Sequence, residues 1–160
     1  MKKLIICLSM VFLVGLAGSV VCFSGAPLTS KDLGVSFRVS SEQIYPGDTI
    51  SIYVDINNPT QETFRDVPLF AVWATGPELK PQNAFYFPAP RDGSPWLPAD
   101  VHYYKLDVPP GITEIELLAP YVWPEMPGFT GTPMVLFSGM SDPLFEKVFG
   151  TSDWLTIYFH

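Results

Sequence analysis

The chain is poor in cysteine, histidine and basic side chains, and no helical rhythm follows its first two dozen residues. The two cysteines, Cys7 and Cys22, both fall in that opening stretch. A domain built from the remainder has no disulfide to staple it and no thiolate metal site, so its core alone must hold it. His102 and the terminal His160 are the only histidines, and nothing in sequence ties them into a zinc site. Asp48, Asp55, Asp66, Asp92 and Asp100 are scattered, without the alternating Asp spacing of a calcium loop. No metal and no cofactor is expected.

Catalytic patterns are missing too. No Gly-x-Ser-x-Gly occurs, no glycine-rich phosphate loop occurs, and Ser24-Gly25 and Ser138-Gly139 are ordinary pairs. The pair Glu114 and Glu116 reads as the solvated face of a strand, and no enzyme is expected. A small secreted hydrolase stays as an alternative, because carboxylates that meet only in space leave no spacing to read. Nine Lys and Arg against sixteen Asp and Glu give a formal charge of −7. That balance excludes nucleic acid as a partner, since phosphates need cations, and it disfavours an anionic membrane surface.

What is present begins with a leader. Met1-Lys2-Lys3 is basic, and Leu4 to Val21 is apolar apart from Ser9, Ser19 and glycines. This is the order of a secretory signal. Residues 1–24 are read as a signal peptide and 25–160 as one exported domain, periplasmic or extracellular, with no membrane insertion after cleavage. Loss of Lys2 and Lys3 takes the charge to −9. The alternative is a retained anchor, since the run is about long enough to span a bilayer. Ala17-Gly18-Ser19 and Ser24-Gly25-Ala26 both fit the cleavage rule. Cys22 is a third candidate, as a lipid-bearing cysteine, disfavoured by Val21 before it.

Seventeen prolines cut the rest into short runs, the pattern of an all-β chain rich in turns. The clearest run is Ile44 to Asn57. Ile50, Ile52, Val54 and Ile56 alternate with Ser51, Tyr53, Asp55 and Asn57, which predicts a central strand with one apolar and one wet face. Gly34 to Ser40 alternates in the same way. Val67 to Thr75 is apolar on both faces, as in a strand packed on one side and covered by loops on the other, and Pro68 places its start at an edge or bulge. Val101–Val108 and Ile112–Leu118 alternate around Pro109-Pro110-Gly111, and a hairpin is expected there. Ser141-Asp142-Pro143 is expected to open a short helical turn that Gly150 closes, before a last strand at Asp153–Phe159. Together these predict an all-β, two-sheet antiparallel immunoglobulin-like sandwich of seven or eight strands, with one short helical turn before the last strand.

The run Tyr45-Pro46-Gly47-Asp48-Thr49-Ile50-Ser51-Ile52-Tyr53-Val54-Asp55-Ile56-Asn57-Asn58 resembles the second-strand signature of bacterial immunoglobulin-like domains, including fibronectin-III-like and cell-adhesion-related ones. The segment from Phe137 to Gly150 is similar to a short helical insert in some secreted bacterial sandwich modules. The resemblance implies a sandwich and non-catalytic work outside the cytoplasm.

The functional expectation is an exported module that binds a protein partner or a cell-envelope component through edge strands or proline-rich loops. The alternative is a polysaccharide-binding module whose loop aromatics stack on sugar rings. Tyr86, Trp96, Tyr103, Tyr121 and Trp123 lie in or beside the proline-rich stretches and are the candidate ligand-binding residues.

Overall fold

The computed structural model describes residues 32–76, 79–80, 82–89, 94–98 and 100–160. The leader with its cleavage sites, Cys7, Cys22 and Asp92 lie outside them. Nine strands and no helix occur among the described residues. They are β1 (Gly34–Val39), β2 (Gln43–Ile44), β3 (Thr49–Asn58), β4 (Phe64–Thr75), β5 (Ala84–Phe87), β6 (Tyr104–Val108), β7 (Gly111–Val122), β8 (Pro133–Ser141) and β9 (Val148–Phe159). All belong to one sheet in the order β5-β4-β8-β9-β1-β3-β7, with β6 also beside β4 and β2 beside β9. The sheet curls into a half-barrel. β1, β3 and β7 form one limb, β4, β5, β6 and β8 the other, and β9 is the joint.

The limbs face each other across a shared interior. Ile50, Ile52, Val54 and Ile56 turn inward as the alternation predicts, each no more than 1% exposed. Val54 and Ile56 pack with Val35 from their own limb and with Val67, Leu69 and Met140 from the other. Ile50 and Ile52 meet Leu136, Leu155, Ile157 and Phe159. Each such side chain contributes about 1.5–3 kcal/mol by leaving water. β4 is buried on both faces, as its sequence predicts. Leu69 faces the interior, while Phe70 and Val72 turn outward and pack with Ala84 and Tyr86 of the neighbouring β5 and with Leu79, Val101 and Phe145. A register shift between Phe64 and Val67 against β6 marks a bulge just before Pro68.

The two-sheet antiparallel immunoglobulin-like sandwich is overturned at the joint. β9 runs antiparallel to β8 but parallel to both β1 and β2, so the two layers become one mixed sheet. Two glycines permit the approach. A Cβ on Gly34 would lie 1.8 Å from Thr151 Oγ1, and one on Gly150, at φ +76, would lie 2.8 Å from the Leu33 carbonyl. The Thr151 N–H donates to that carbonyl at 2.9 Å. Further along, the Asp153 carboxylate stands in for a ladder carbonyl. It accepts the Phe37 N–H at 2.8 Å and the Trp154 N–H at 2.9 Å. Beyond it the ladder resumes with β2, as Tyr158 N–H donates to Glu42 O at 2.8 Å and His160 N–H to Ile44 O at 2.9 Å.

Two local expectations are also corrected. The segment between β8 and β9 is a hairpin turn rather than a helix. Asp142 does cap it, accepting the N–H groups of Glu146 and Lys147 at 2.7 Å each, but Phe145 takes φ 58 and the chain reverses. Gly150 lies inside β9, which starts at Val148. β6 and β7 form no hairpin, because β6 pairs with β4 and β7 with β3. Tight hairpin turns favour positive φ at their centre, and proline is fixed near −65°. Pro109-Pro110 instead carries the chain from one limb to the other.

Candidate functional site

The first place where the fold leaves chemistry unused is the outer strand of the β1-β3-β7 limb. β7 ends the sheet, and β3 is its only strand neighbour among the described residues. The Ser40 N–H donates to the Ser51 carbonyl at 3.3 Å. Alternation along β3 then turns the backbone groups of Ser51, Tyr53 and Asp55 toward β1 and those of Val54 and Ile56 toward β7. Their partners are Ile115 and Thr113. Ile112, Glu114 and Glu116 consequently aim their N–H and C=O groups at the free side. Pro120 fits this strand because an edge does not need its missing N–H. Ile115 and Leu117 face the core yet stay half-buried, while Ile52, Val54 and Ile56 beside them are sealed. Among the described residues no strand covers this side of the half-barrel.

The outer face next to that edge is charged. Arg38 on β1 binds the Asp55 carboxylate at 3.1 Å and also pairs with Glu114 on β7. Its guanidinium lies 4.7 Å from the centre of the Tyr53 ring, and the Tyr53 hydroxyl donates to Glu116 at 3.3 Å. The hydrogen bond that Arg38 donates to Asp55, then the Asp55 charge, holds Arg38 above the ordinary arginine pKa. Desolvation, followed by the Glu116 charge, pushes the Tyr53 phenol up as well. Two carboxylates, Asp55 and Glu114, share the Arg38 guanidinium and Glu116 adds a third negative charge beside them, so the face beside this edge carries excess negative charge.

The aromatic candidates are distributed differently from a single binding platform. Tyr86 on β5 is buried at 6% exposure in the cluster with Phe70 and Val72. Its carbonyl accepts the Trp96 indole N–H at 2.9 Å. Trp96 is half-buried and meets the rings of Trp73, Phe85 and Phe87 edge-on at 5.4, 6.0 and 5.3 Å. Trp73 and Phe85 are stacked at 4.5 Å. Tyr103 is exposed on one side and lies on Phe70 and Phe145 on the other. Trp123 stacks on Phe159 at 4.3 Å and meets Phe129 edge-on. Tyr121 is exposed near the end of β7. The structure thus brings Tyr86 and Trp96 together, puts Trp123 in a second cluster, and leaves Tyr121 on the free strand.

Catalytic geometry is thin. His102 Nε2 lies 3.3 Å from Asp100 Oδ2 without hydrogen-bond alignment, and the atom is enclosed. Among the described residues no three His, Cys, Asp or Glu side chains gather as a metal site. Among the described residues no helix is long and apolar enough to cross a membrane. The sequence reading passed over Glu114, Glu116 and Arg38 as site residues. Their signal was an alternating acidic strand that also contains a proline, which marks an edge.

No family model matches this chain, and no curated protein matches it. Among solved structures it is similar to Spo0M, a sporulation control protein from Bacillus subtilis, with a TM-score of 0.36 and 12% identity over 80% of this chain and 49% of that one. The chain spans about half the length of that protein. It is also similar to AvmM, which catalyzes macrocyclization in alchivemycin A biosynthesis, with a TM-score of 0.36 and 16% identity over 79% of this chain and 89% of that one. Likeness at this level carries no functional argument.

Proposed function

We propose that the chain is an exported, non-catalytic all-β module that binds a protein partner of the cell envelope by accepting an extended segment along β7. The leader-like start, Met1-Lys2-Lys3 followed by the apolar run to Val21, supports export. The observation that carries the binding role is the side of β7 with which no strand pairs among the described residues, in a strand of twelve residues whose core-facing Ile115 and Leu117 remain half-buried. Unpaired strand edges are templates for another strand, and backbone hydrogen bonds supply the affinity in such complexes. The enclosed Tyr86 and Trp96 cap the fold in this reading and contribute no sugar platform.

Photo-cross-linking in the native host tests it. A photoreactive residue at exposed Ala119 on β7 gives discrete adducts with one envelope protein, and the same residue at exposed Glu62, between β3 and β4, gives none. Equal labelling from both positions, or silence from Ala119, refutes the proposal.

A further inference from the structure

The edge of β7 is selective in charge as well as open in hydrogen bonding. Glu114 and Glu116 aim their backbone groups at the free side and place their carboxylates on the outer face. Asp55 lies one strand further in, directly opposite Glu114 in register. Among the described residues Arg38 is the only cation bound into this group, and it is already engaged by Asp55 and Glu114. A strand added at the edge would set its own outward side chains beside Glu114 and Glu116, at the spacing where cross-strand charge pairs interact. Its inward side chains would cover the part of Ile115 and Leu117 that the core leaves exposed.

A second copy of the chain is a poor occupant. Antiparallel pairing of β7 with itself around this segment would bring glutamates of one copy beside glutamates of the other, and like charges placed opposite are destabilising. The chain's net charge of −7 adds repulsion at longer range. These same carboxylates guard the edge against self-association and favour a cationic strand.

We infer that the occupant of the β7 edge is an extended segment of a partner protein that alternates Lys or Arg with aliphatic residues, its cations outward against Glu114 and Glu116 and its aliphatics inward over Ile115 and Leu117. This rests on the strand-addition reading above and specifies the chemistry of the partner.

The test titrates the purified protein with three probes: a short alternating Lys-Val peptide, its Glu-Val counterpart, and the Lys-Val peptide with alternate backbone nitrogens methylated. Amide NMR shifts of residues 111–118 provide the readout. The Lys-Val peptide is expected to bind at least about tenfold more tightly than the Glu-Val peptide, and to weaken as salt rises. Methylation removes the donors that strand addition needs and is expected to cost about tenfold or more. The double variant Glu114→Lys with Glu116→Lys should reverse the order of the first two peptides. The single variant Glu116→Gln, which keeps shape and removes one charge, should narrow the gap without reversing it.

Equal binding of the methylated peptide would reduce the effect to surface adsorption and overturn the inference. Tighter binding of the Glu-Val peptide, or dimers cross-linked through β7, would overturn the basic-strand assignment while leaving strand addition standing. No shift at residues 111–118 with any peptide, together with silence from the cross-linker at Ala119, would overturn both.

Discussion

The two limbs of the half-barrel share one interior but treat their outer faces in opposite ways. On the β4 limb the outward side chains are Phe70 and Val72, flanked by Ala84 and Tyr86 of the neighbouring β5 and packed with Leu79 and Val101 from the connections between β4 and β6. On the β3 limb the outward side chains are Ser51, Tyr53 and Asp55, all half-buried, with Asp55 tied to Arg38 and Tyr53 to Glu116 and no further layer of apolar residues over them among the described residues. The covered limb ends in two short edge strands, β5 of four residues and β6 of five, whereas the wet limb ends in an edge of twelve, and no strand lies beyond any of these among the described residues. One limb has its outer face covered by its own chain. The other is left with hydrogen-bonding capacity, half-exposed core residues and a sign of charge, which is what a docking edge requires.

The contrast breaks most visibly with a matched pair of substitutions. Phe70→Ala, beneath Tyr103 and Phe145, should cost about 3–5 kcal/mol, because it opens a cavity in a packed layer. Ser51→Ala on the opposite limb's outer face should stay within about 0.5 kcal/mol. Denaturant unfolding measures both, and similar losses at the two positions would abolish the distinction. A smaller effect is expected at the joint. Asp153→Ala strips the Phe37 and Trp154 N–H groups of their acceptor, and one such orphaned group costs about 1–3 kcal/mol. Hydrogen exchange should speed up at Phe37 in that variant while the amides of β4 stay protected.

The smallest effect sharpens the comparison at the β8–β9 turn, whose Phe145 helps cover Phe70. The backbone N–H of Lys147, with those of Glu146 and Leu144, holds the Asp142 carboxyl below the usual carboxylate range. A depressed folded pKa contributes stability that is present above the unfolded value of about 3.9 and is lost as pH falls through the lower folded value. The Glu146 and Lys147 amides should therefore lose protection as acid protonates Asp142. The Asp142→Asn variant should show no such pH dependence, and an unchanged acid profile in that variant would rule the linkage out.

Much of each strand was legible in advance. The alternation of Ile50, Ile52, Val54 and Ile56 predicted their inward face, and the two-faced apolar run at Val67–Thr75 predicted a strand buried on both sides. Pro109-Pro110 carried a signal that was misread as a hairpin turn, although paired prolines resist the backbone that such a turn favours. Asp142 was read correctly as a cap and wrongly as the cap of a helix, because the same side-chain bonds close a turn. The edge at β7 was visible only as Pro120 and two glutamates, which read as an ordinary wet face until the pairing was known.

The sequence by itself determined which segments extend, which face of each turns inward, and the acidic balance that any partner must meet. Those follow from side-chain period and charge, which are properties of a single segment. Only the tertiary structure decided that Gly34 would pair with Thr151 in parallel, that β6 and β7 would part to opposite limbs, and that β7 would stand last in the sheet. The alternation of one strand is blind to its neighbour, and these pairings join residues as many as 117 positions apart, where close approach of backbones selects the partner.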